Sequence, residues 1–142
     1  MRLIRQLTTV AAIELLQTRG SCNQEEKDWS RDTVNDYIKH GRSYFYDVVL
    51  NSKKEIMELI PIGCQNIQKS DNLFKSIRDN GYDINSYLFL RDLNQGENGY
   101  FYVENGKHRI EALRKLLSEN EKPILVPAVI ALKHPLNSTI SL

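Results

Sequence analysis

A chain of 142 residues, 41% apolar and 26% charged, is long enough to bury one core without disulfide or metal staples. Its formal net charge of +1 argues against a surface built to coat DNA, where phosphate neutralisation supplies most of the affinity. Contact with a nucleotide or with DNA therefore has to come from a local cluster of charge.

The chain opens with Arg2 and Arg5 followed by a mostly apolar stretch that Glu14 interrupts. That interruption and the bulky Leu15-Leu16 pair argue against a secretory signal. Leu3, Leu7, Val10, Ala11 and Leu15 recur at helical steps, so residues 3–18 are expected to form an amphipathic helix that packs or docks a protein partner. Gly20 is its expected stop. Ser30 is expected to cap a short second helix, with Asp32 in its first turn and Gly41 at its end. Residues 1–54 thus read as an N-terminal helical extension, ahead of a domain over residues 55–142.

Tyr44 to Leu50 fits either a strand or a buried helical turn. Glu55 to Ile62 reads as a strand stopped near Pro61 and Gly63. Ser70 or Asp71 can cap a helix with Leu73, Phe74 and Ile77 inside, and Asn80-Gly81 supplies its exit. Tyr87–Leu93 and Tyr100–Val103 read as strands joined in a hairpin through a polar link. A helix over 107–119 follows, with Ile110, Leu113, Leu116 and Leu117 toward the core. Ile124 to Leu132 is a nearly continuous apolar strand interrupted at Pro127. The expected class is α/β (α+β): a small mixed sheet with packed helices.

The two cysteines, Cys22 and Cys64, form no CxxC pair, and His40, His108 and His134 are scattered, so no zinc spacing appears. The thiols read as reduced, in a cytoplasmic protein. No apolar run approaches the ~20 residues of a membrane-spanning helix, so no membrane partner is expected.

The chemistry concentrates at Asn105-Gly106-Lys107-His108-Arg109. A helix N-terminus is electropositive and normally attracts acidic residues. Here three cationic residue types stand together at that end, an arrangement that makes sense where an anion is bound. Gly106 suits a tight turn with close approach by a ligand. Arg109 offers a fork for phosphate oxygens, His108 a donor, and Lys107 a point charge. Without a ligand, the same run is a solvated basic helix start. Glu104 and Glu111 flank it, and Tyr100, Phe101 and Tyr102 read mainly as core residues, with base stacking the alternative.

The run Tyr102-Val103-Glu104-Asn105-Gly106-Lys107-His108-Arg109-Ile110-Glu111-Ala112-Leu113 resembles the signature of the ParB/sulfiredoxin superfamily, a strand followed by G-x-[HR]-R and an alanine on the helix. The likeness extends over about residues 55–132, through Leu73–Gly81 upstream and Pro123–Ala131 downstream. It implies a nucleotide or other phosphate at the turn, contacted by Gly106, His108 and Arg109. Gln65 and Asn66 fall where the family's first loop approaches the nucleotide. ATP or CTP with Mg²⁺ is the implied ligand, and DNA is a less favoured partner. Position 107 departs from each branch. Sulfiredoxins carry their reactive cysteine there, the CTP switches a glutamate, and the free-serine kinases a histidine. Lys107 can form no thiolate intermediate, so sulfinic acid reduction is not expected. A phosphotransferase or nucleotide hydrolase would need an acid or base, for which Glu58 and Glu104 are the candidates.

Overall fold

The computed structural model describes residues 1–17, 24–51, 53–61, 67–92, 101–119 and 122–136, and the side chains of these apart from 24–29 and 61. In chain order the elements are β1 (Arg2–Leu7), α1 (Thr9–Gln17), α2 (Gln24–Lys39), β2 (Tyr44–Leu50), α3 (Lys53–Met57), β3 (Leu59–Pro61), α4 (Ile67–Asn80), β4 (Leu88–Asp92), β5 (Phe101–Asn105), α5 (Lys107–Glu119) and β6 (Val126–Leu132). The six strands form one mixed sheet in the order β1-β2-β6-β4-β5-β3. Pairing is antiparallel for β1–β2, β2–β6 and β4–β5, and parallel for β4–β6 and β3–β5. This is a small mixed α/β domain of general α+β type.

Helices cover both sheet faces, and each face has its own core. On one side Ile56, Phe74, Ile77, Ile110, Leu113 and Leu117 from α3, α4 and α5 meet Leu88, Leu90, Val103 and Ile130 of the sheet. On the other, Ala12, Leu16, Val34 and Tyr37 from α1 and α2 meet Phe45, Phe89, Val129 and Ala131. Every residue of β6 is buried, as expected for a central strand covered on both faces.

Pro127 does not interrupt β6. It lies opposite Val49 of β2, and the parallel pairing with β4 begins one residue later, at Leu88 and Ala128. The missing proline N–H therefore falls where β6 has a partner on one side only.

Further expectations need correction. Residues 3–18 are not one helix. Residues 2–7 form an edge strand whose side chains are mostly exposed, and the helix starts after Thr8. Thr8 Oγ1 accepts from the Ala11 N–H at 3.2 Å, the capping signal that outweighs the apolar periodicity. With β1 and β2 both in the common sheet, residues 1–54 are not a purely helical extension; β2 supplies the antiparallel neighbour that β6 needs. Residues 55–62 are not one strand either. The Glu55 carboxylate accepts from the Asn51 N–H at 2.9 Å and helps start α3, leaving only Leu59–Pro61 to pair with β5.

Ser30 is buried within α2 rather than capping it. The end of α2 is as expected. Gly41 takes a positive φ of 84°, its N–H donates to Ile38 O, and the Arg42 N–H reaches back to Tyr37 O. The stops at Gly20 and Gly63 lie outside the described residues.

Candidate functional site

The helix expected at residue 107 begins there. Its first turn holds no acidic residue, and the Ile110 N–H closes on Gly106 O at 2.9 Å. The side chains from Asn105 to Arg109 are half-buried rather than spread into solvent.

Gly106 has φ 104°, where residues with a Cβ are strained. A Cβ there would also stand 2.4 Å from Cδ2 of Leu88, a fully buried residue at the start of β4. The glycine thus lets the turn pack onto Leu88, a reason internal to the fold and beyond any approach of a ligand.

Arg109 is aimed by neutral acceptors. Its Nη1 donates to Tyr87 O at 3.2 Å and to the Tyr82 hydroxyl at 3.5 Å. Tyr82 in turn donates to Ser86 O at 2.7 Å. No carboxylate pairs with Arg109 among the described residues, so its charge is not neutralised locally. Asn105 adds a buried Nδ2 with no hydrogen-bond partner among the described residues.

One contributor was missed in the sequence. Lys69, in the first turn of α4, stands close enough to His108 to depress its pKa. Burial is the larger cause, and Lys69 and Lys107 add to it, so the imidazole titrates below its ordinary range. Charges on the two helices are felt in the same order along both: Lys69 acts on His108, Asp71 lies 3.7 Å from Lys115, whose ammonium stands 4.5 Å from the Phe74 ring centroid, and Glu119 acts on Arg78. α4 and α5 therefore run parallel, and their N-terminal ends meet. The first turn of α4 also lacks an acid. Two electropositive helix ends and the side chains of Lys69, Lys107 and His108 share one region. The missed signal was α4 starting at Ile67, ahead of the caps expected at Ser70 or Asp71, which drew Lys69 into the helix.

The two candidate acids are placed elsewhere. Leu59 aligns with Phe101, so Glu58 stands beside the beginning of β5, whereas the turn follows its end. At ~3.3 Å per residue that is roughly 15 Å along the strand. Glu104 is paired with Arg91 on the sheet face beneath α2, and the Arg91 guanidinium lies 4.3 Å from the Tyr102 ring centroid. Glu111 contacts Arg114 one turn along α5. Gln65 and Asn66, like Cys22 and Cys64, lie outside the described residues. Among those described, no cluster of three His, Cys, Asp or Glu side chains fits a metal ion, and no helix is long and apolar enough to cross a membrane.

No protein-family model matches the chain, and no curated protein matches it significantly.

Proposed function

We propose that this chain is a ParB/sulfiredoxin-like domain that binds a phosphate-bearing small molecule, in the first instance a nucleotide, where α4 and α5 begin. The observation that carries this reading is the meeting of two helix N-termini without acidic residues, beside Lys69, Lys107 and His108. The positive ends of the two helix dipoles favour an anion. Arg109, held through Nη1, presents its other guanidinium nitrogens, and the unpartnered Asn105 Nδ2 adds a donor. Mg²⁺ would arrive with the phosphates of a triphosphate such as ATP or CTP. Neither Glu58 nor Glu104 stands at the turn, so binding is favoured over phosphoryl transfer or hydrolysis.

Calorimetric titration with ATP, CTP, GTP and inorganic phosphate, with and without Mg²⁺, tests the proposal. The double substitution Lys69→Ala/Lys107→Ala should weaken the best ligand by roughly tenfold or more, since hydrogen bonds to charged groups contribute about 1.5–3 kcal/mol each. Wild-type affinity in that variant would overturn the site. A short DNA duplex titrated across a salt series separates the less favoured partner.

The proposal has a pH signature. His108 binds its proton less readily than an unperturbed histidine because of burial and two neighbouring ammonium groups. A bound anion favours the imidazolium, so its pKa should rise on binding, and affinity should increase as pH falls through the histidine range. Sulfate, whose charge is constant across that range, is the suitable probe. NMR titration of the His108 ring at fixed ionic strength should show an upward shift when sulfate replaces chloride. An unmoved titration would remove His108 from the anion's surroundings.

A further inference from the structure

Arg109 is held by a short bracket of chain, residues 82–87, that leads from the end of α4 into β4. Each terminal nitrogen of a guanidinium carries two hydrogens in the plane of the fork. Nη1 of Arg109 has two acceptors, Tyr87 O at 3.2 Å and the Tyr82 hydroxyl at 3.5 Å, one for each hydrogen. What remains for other contacts is the opposite edge, where the Nε–H and one Nη2–H lie parallel and match two oxygens of one phosphate.

The bracket is built to do this without neutralising the charge. Its own acid, Asp83, is turned into the local turn: Oδ1 accepts from the Asn85 N–H at 2.9 Å, and Oδ2 accepts from the Ser86 hydroxyl at 3.5 Å. The Ser86 N–H also closes on Asp83 O at 3.0 Å. The turn thereby fixes Ser86 O, which accepts from the Tyr82 hydroxyl at 2.7 Å. With its hydrogen given to Ser86 O, the hydroxyl meets Arg109 through a lone pair. The Tyr82 ring packs against the core, a task phenylalanine would serve equally, so the hydroxyl has a role that packing does not require.

We propose that Tyr82 is a positioning residue of the anion site. It saturates Nη1, so that Arg109 grips two oxygens of the same phosphate through its Nε–Nη2 edge. The inference rests on the anion-binding reading given above and adds to it the way the phosphate is held.

Side-chain nitrogen NMR of the full chain, with inorganic phosphate as the probe, tests this. Without phosphate, the Nη1 hydrogens of Arg109 should give resolved signals, because two acceptors slow rotation about the Cζ–Nη1 bond; in Tyr82→Phe they should merge. Phosphate should shift the Nε and Nη2 signals and leave Nη1 in place. By calorimetry, Tyr82→Phe should weaken phosphate about fivefold, the worth of one ordinary hydrogen bond. Arg109→Lys, which keeps the charge and loses the fork, should weaken it about tenfold or more. In the Arg109→Lys background, Tyr82→Phe should have no further effect, whereas a merely structural hydroxyl would cost the same in both. Equal losses in the two backgrounds, wild-type affinity in Tyr82→Phe, an averaged Nη1 in the wild type, or phosphate shifts at Nη1 alone would overturn the inference and leave the anion site standing. Absence of phosphate binding by the wild type, with Nη1 still restrained, would instead overturn the reading on which it rests. Should Tyr82→Phe fail to fold, the wild-type spectra and Arg109→Lys decide the matter.

Discussion

Arg42→Met should lower the unfolding free energy by about 3–5 kcal/mol, the range found when one partner of a buried ion pair is removed. The Arg42 side chain is 16% exposed and its partner Asp92 only 2%, with Nε to Oδ1 at 3.0 Å. Methionine retains much of the packing but leaves the Asp92 carboxylate without its charged donor. The pair also fastens two distant parts of the chain, since Arg42 follows the turn that closes α2 and Asp92 ends β4. Urea unfolding should show the midpoint falling with an unchanged slope. The double variant Arg42→Met/Asp92→Leu should recover most of the loss, because it removes the stranded charge as well. A loss below about 1 kcal/mol in the single variant, the worth of an exposed pair, would show that water reaches Asp92 in solution.

Gly106→Ala should be nearly as damaging, at about 2–4 kcal/mol. Two costs add. The backbone strain of a Cβ residue at φ 104° is of order 1–3 kcal/mol. The contact with Leu88 adds overpacking in a closed core, typically about 1–3 kcal/mol. Gly81, with φ 81° and nothing within 4 Å of where a methyl group would stand, is the internal control. Gly81→Ala carries the strain alone and should cost clearly less. Equal losses at the two positions would show that Leu88 moves aside freely. Gly106→Ala/Leu88→Ala should relieve the clash while introducing a cavity, so its deficit should not be the sum of the two single losses.

Legibility in the sequence followed how local the determining physics is. The α5 helix, the exit of α4 at Gly81 and the strands β4 and β6 were readable because their signals lie inside the segment: periodicity, a glycine stop and continuous apolar runs. β1 was not readable, because an edge strand with exposed Leu3 and Ile4 is fixed by pairing with β2, which lies beyond two intervening helices in the chain. Residues 55–62 misled because β-like composition hid a helical turn fixed by one side chain, Glu55, accepting from the Asn51 N–H. For the site, the basic run was visible in the sequence. Its relation to Lys69 depends on α4 lying parallel to α5, which no local pattern encodes. The separation of Glu58 and Glu104 from the turn likewise follows from the sheet order and the pleat.

Strand order also governs how the molecule is made. β2 and β4 are not neighbours; residues 126–132 wedge between them. A nascent chain that has not yet delivered those residues holds two partial sheets, each with an unsatisfied backbone rim. Such rims are sticky toward other chains. Ribosomal pausing or truncation before residue 126 would therefore be the moment of greatest vulnerability to aggregation, and insertion of β6 the event that joins the two halves into one body.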